Sequence, residues 1–165
     1  CEQDALRLLG GTFGEAYEKS QWAANDPIPQ SGRAFLSVRD PDKDQLVPLA
    51  EDLLDLGFSL CATRGSASVI ADAGLPVERI NKVVEGRPDI TDAIKNREID
   101  LIINTTEGKQ AIADSFAIRR TALQNNVYYT TTMAGGRAVV AALRHQEEIE
   151  VYCLQALHES ISERR

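Results

Sequence analysis

Short apolar runs alternating with helix-patterned segments predict a doubly wound α/β fold, a Rossmann-like three-layer sandwich around a parallel sheet of about five strands. Three observations lead there. Runs such as Ala34-Phe35-Leu36-Ser37-Val38 and Leu101-Ile102-Ile103 have strand length and sit between turn residues, as expected of strands buried on both faces. Between the runs, apolar residues recur at helical spacing, as at Leu46, Leu49, Ala50, Leu53 and Leu54. Gly57 and Gly74 then stand where those helices would stop.

The elements follow in order. Residues 1–31 stand apart as an overhang and linker. An amphipathic stretch over residues 15–24 places Ala16, Tyr17, Ser20 and Trp22 on one side, and Pro27 and Pro29 block its continuation. The regular alternation begins after Gly32. Strands are expected at residues 34–38, 58–62, 77–84, 101–103 and 127–131, with a short sixth at 151–154. Helices are expected from Asp40-Pro41 to Gly57, then over residues 66–73, 89–97, 111–125 and 138–145, the last led in by Gly135-Gly136. The main domain therefore spans residues 32–160, with a tail at 161–165.

Composition bounds the function. A chain of 165 residues with 43% hydrophobic and 26% charged residues can bury one domain core. No apolar run reaches bilayer length and no basic flank precedes an apolar block, so a soluble, cytoplasmic protein is expected. Cys1, Cys61 and Cys153 lack the paired spacing of a zinc site, which fits a reducing compartment and no metal. Cys61 lies in an apolar run and is expected to be a buried structural thiol, as is Cys153. A net charge of −7 argues against a nucleic-acid partner. An anionic ligand would need local cations and backbone amides to overcome that field.

In a doubly wound sheet, ligands bind beyond the carboxyl ends of the strands. Lys43 follows the first strand near a helix start, where a bound anion would offset its unfavourable place on the helix dipole; a solvated lysine is the plainer alternative. Thr63-Arg64-Gly65-Ser66 joins the second strand to a helix and can be an anion cradle or an ordinary N-cap. Lys82, near the end of the third strand, needs either a sheet edge or a ligand. Asn104-Thr105-Thr106-Glu107-Gly108-Lys109 leaves the fourth strand abruptly, toward a site or toward solvent. Together the four segments bring hydroxyls, an amide and two lysines to one sheet edge.

No Ser/His/Asp or Cys/His set, Walker loop or dinucleotide glycine fingerprint is present. Asp89, Asp92, Asp100 and Asp114 read as helix-start or surface acids, and His145 and His158 as structural or exposed.

Several segments, in order, resemble the C-terminal methylglyoxal-synthase-like allosteric domain of the carbamoyl phosphate synthetase large subunit. They are Gly32 through Arg39, Asn81 through Pro88, Ile102 through Thr106 and Ile118 through Gln124. Thr12 through Ser20 is similar to the last helix of the preceding synthetase domain, so a piece of a larger protein is expected. The resemblance implies a nucleoside monophosphate effector, UMP or IMP, held by Lys43, Thr63, Ser66, Lys82, Asn104, Thr105 and Thr106. It implies synthetase domains and a glutaminase small subunit as partners, with ATP and magnesium or manganese used elsewhere in the parent ligase. It implies no cofactor in this segment and no catalysis by it. Thr130 stands where ornithine-activated relatives carry aspartate, which argues against an ornithine contact. The alternative is a methylglyoxal-synthase-type lyase acting on dihydroxyacetone phosphate, for which Asp89 would be the carboxylate; it is offset from the expected place and follows Pro88.

Overall fold

The computed structural model describes residues 12–105 and 109–145. The described chain divides into two compact units, residues 29–137 and residues 12–28 with 138–145.

The larger unit is built on β1 (Gly32–Ser37), β2 (Phe58–Ala62), β3 (Glu78–Arg79), β4 (Leu101–Asn104) and β5 (Tyr128–Thr130). They form one all-parallel sheet in the order β3-β2-β1-β4-β5, which is the doubly wound arrangement read from the sequence. Helices α2 (Leu46–Asp55), α3 (Arg64–Asp72), α4 (Ile90–Lys95) and α5 (Lys109–Gln124) connect the strands and cover both faces.

Strand alternation divides the core. Phe35, Cys61 and Ile102 point to one face, where they pack with Ile90, Ala93, Ile94, Ile99, Ile118 and Ala122. Ala34, Leu36, Leu60, Ala62, Leu101 and Ile103 take the other. There α2 contributes Leu46, Leu49, Ala50 and Leu53, the i, i+3, i+4, i+7 set of an amphipathic helix. Cys61 is fully buried, as expected, and Cys1 and Cys153 lie outside the described residues.

Gly32 opens β1 at φ 125°. That backbone favours glycine, and a β-carbon there would overlap the Asp100 carboxylate. The same carboxylate accepts the Arg33 N–H at 2.8 Å, fixing β4 beside β1.

Four expectations are corrected. The third strand is two residues long, not eight. After Arg79 the chain turns into a 3-10 segment, Val83–Glu85, in which the Lys82 N–H donates to Glu85 Oε2 at 3.0 Å. Ile80 and Val83 are drawn onto the core, which overrides the strand pattern. Lys43 is not in the first turn of an α-helix: Asp40–Gln45 is a 3-10 segment, and α2 begins at Leu46.

The helix expected at 138–145 is α6 (Met133–Arg144). The glycines do not delay it, because the Thr132 hydroxyl accepts the Gly135 N–H at 3.0 Å and starts the helix. In the smaller unit, α1 (Phe13–Ala23) buries Gly14, Glu18 and Lys19, while Trp22 is exposed. The buried stripe is set by Gly14, which lies against the Ala141 carbonyl and His145, and not by Ala16, Tyr17 and Ser20. The expected strand at 151–154 lies outside the described residues.

Candidate functional site: a polar cavity at the switch of the sheet

In the order β3-β2-β1-β4-β5 the winding reverses between β1 and β4. The loops leaving those two strands diverge to opposite faces and open a crevice at their carboxyl ends. A cavity of about 380 Å³ lies there, lined by Lys43, Thr63, Ser66, Lys82, Asn104 and Thr105. Six of the seven residues singled out by sequence are thus brought together, and Thr106 lies outside the described residues.

Each wall has a local cause. Thr63 is the N-cap of α3, yet its hydroxyl makes no capping bond and instead faces Ser37 Oγ at 3.4 Å. The first turn of α3 therefore has no side-chain cap, and its amide donors and dipole are available to an anion. A β-carbon on Gly65 would stand 3.5 Å from Lys43 Nζ, so the glycine keeps the space between helix and lysine clear.

Two hydroxyls brace the loop after β1. Ser66 Oγ accepts the Val38 N–H at 2.9 Å, and Thr105 Oγ1 accepts the Arg39 N–H at 3.0 Å. Asn104 is buried at the end of β4; its Nδ2 donates to Tyr129 Oη at 2.9 Å and to Ser115 Oγ at 3.2 Å.

Lys82 enters from the edge beyond β3, so its charge is never buried inside the sheet. Lys43 Nζ pairs with Asp40 Oδ1 at 2.6 Å. The Lys43 hydrogen bond and charge hold the Asp40 carboxyl below its ordinary value, and the charge of Lys82 adds to this. The Asp42 carboxyl is held low mainly by Arg39, which reaches it at 2.7 and 3.3 Å, and also by the Thr105 hydroxyl.

Part of the wall comes from residues that the strand-end pattern does not mark. Ser115 and Ile118 of α5 also line the cavity, and so does Asp114, which reads from sequence only as a surface or helix-start acid. A signal was present for Ser115: it falls on the helix face that buries Ile118 and Ala122, where an apolar residue would be expected. Asp89 does not line the cavity. It is buried, N-caps α4, and its Oδ1 accepts from the Thr91 N–H and hydroxyl, each at 2.7 Å.

Fold and site together define a doubly wound parallel α/β domain with a lysine-bearing polar cavity at its switch point. Residues 45–131, just over half of the chain, match the family profile described as "MGS-like domain", and the chain belongs to that family. It is also similar to the carbamoyl phosphate synthase large chains of Pseudomonas putida (55% identical over 150 residues, 91% of this chain), Pseudomonas aeruginosa (53% over 153 residues, 93%) and Xanthomonas campestris (49% over 153 residues, 93%). The chain spans 14% of the length of each of these relatives. Among the described residues no helix is long and apolar enough to cross a membrane.

Proposed function

We propose that the chain is the C-terminal allosteric domain of a cytoplasmic carbamoyl phosphate synthetase large subunit, and that its cavity binds a nucleoside monophosphate, UMP or IMP. The observation that carries this reading is the cavity at the switch point, with Lys43, Lys82 and the uncapped N-terminus of α3 around one end. Those are the groups a phosphate dianion requires in a chain of net charge −7. Asn104 and Thr105, across β1, then meet the nucleoside, with Thr106 following them.

In this reading the effector acts by binding one state of the intact subunit better than another and shifting its population. The coupling partners are the synthetase domains of the same large subunit. ATP, magnesium or manganese, and the glutaminase small subunit belong to other parts of that assembly.

Calorimetric titration of the chain with UMP and IMP in phosphate-free buffer tests it. Binding is expected, weakened about tenfold or more by Lys82→Ala through loss of a charge-assisted hydrogen bond. A folded sample that gives heat with neither nucleotide overturns the reading.

A further inference from the structure

Helix α5 is patterned twice. One stripe, Ser115, Ile118 and Ala122, is buried against the sheet at the i, i+3, i+7 spacing of an amphipathic helix. A second stripe with the same spacing, Phe116, Arg119, Arg120 and Leu123, lies on the exposed side. Phe116 is 67% and Leu123 69% exposed, two turns or about 10.5 Å apart along the helix. A single exposed apolar residue is ordinary, but two large ones aligned on one helix face mark a surface built to be covered.

Charge narrows what covers it. Helix α5 carries Lys109, Arg119 and Arg120 against Asp114, in a chain of net charge −7. Arg119 lies over the Tyr129 ring, 5.3 Å from its centroid. Neither it nor Arg120 makes an ion pair among the described residues. The complementary surface is therefore acidic around an apolar centre.

A second copy fits poorly. Pairing α5 with itself about a two-fold axis sets arginines against arginines. The acidic helix α2, with Glu51, Asp52 and Asp55, could meet α5 of another copy only head to tail, a contact that repeats without closing. The chain spans 14% of the length of its relatives, so a parent of that size brings far more surface, tethered and at high effective concentration. We infer that the exposed stripe of α5 is the docking face for an acidic, apolar-striped helix in the synthetase part of the same large subunit. Phe116 and Leu123 enter its apolar stripe and Arg120 pairs with its carboxylates.

This rests on the large-subunit reading and names the face that meets its partner. Ser115 and Ile118 of the same helix line the cavity, so the docked partner stands about one helix diameter, roughly 10 Å, from the cavity's contents.

Hydroxyl-radical footprinting tests the inference, reading oxidation of Phe116 by mass spectrometry in the isolated chain and in the full-length large subunit. Oxidation should be about fivefold slower or more in the full-length subunit, as the side chain passes from 67% exposed to buried. Arg120→Glu should restore the fast rate there, because it sets like charges together, while the isolated variant melts like wild type. Equal rates in the two wild-type proteins overturn the inference, and so does protection that survives Arg120→Glu. Protection of the isolated chain by its own concentration, or by vesicles of anionic lipid, gives the face to another occupant and also overturns it. A full-length protein that makes no carbamoyl phosphate removes the large-subunit reading instead.

Discussion

The Ser66 hydroxyl, on the first turn of α3, accepts the backbone N–H of Val38, just beyond the end of β1, at 2.9 Å. Both residues are buried, so this one bond fixes the height of a helix over the sheet and the path of the loop carrying Lys43. Ser66→Ala leaves the Val38 donor without an acceptor and should cost about 1–3 kcal/mol. A chain of this size then melts roughly 2–4 °C lower per kcal/mol. Ser66→Thr keeps the acceptor and should melt close to wild type in the same scan.

Gly65 separates stability from binding. A β-carbon there meets only Lys43 Nζ, at ordinary contact distance, so Gly65→Ala should leave stability within about 0.5 kcal/mol. It also places a methyl between Lys43 and the amides of α3. Anion affinity, measured by titration with UMP, should fall about tenfold or more. Unaltered affinity would mean that phosphate does not sit at that helix end.

Cys61 gives the fold a pH signature. Burial, the largest cause, pushes its thiol up from an ordinary 9.0 to about 12. Below pH 9 the thiol is protonated in both states and contributes no pH dependence. Between 9 and about 12 the unfolded chain releases a proton that the folded chain keeps, so stability falls as pH rises. The slope is at most about 1.4 kcal/mol per pH unit. Urea melts at pH 8, 9 and 10 should show this component in wild type and lack it in Cys61→Ala.

Asp89 is expected to be a structural residue. Removing its cap from α4 with Asp89→Ala should cost about 1–2 kcal/mol by denaturant melting and leave UMP affinity unchanged. No methylglyoxal should form from dihydroxyacetone phosphate with wild type or Asp89→Asn. Methylglyoxal made by wild type and lost in the variant would restore the lyase reading.

Legibility in the sequence tracked how local the deciding force was. Strands β2 and β4 and helix α2 could be read because a continuous apolar run or a 3.6-residue period is enough to place a buried element. The lining of the cavity was legible for a similar reason: polar residues directly after apolar runs fall at the carboxyl ends of parallel strands. What escaped was set by distant partners. Nothing near Ile80 and Val83 announces that the core pulls them out of strand geometry. Nothing around Gly135-Gly136 shows that Thr132 caps the helix ahead of them. Ser115 meets Tyr129 and Asn104 only after α5 has packed on the sheet.

Under the proposed reading, the pairing of Asp40 with Lys43 makes phosphate entry an exchange and not an addition. An arriving phosphate must compete with a carboxylate carried three residues away on the same chain, which returns to solvent when it loses. Asp40 is 89% exposed, so its release disturbs no packing. Occupancy by the proposed effector would then follow its concentration as a titration between two anions for one ammonium, with the tethered rival setting the concentration at which the effector prevails.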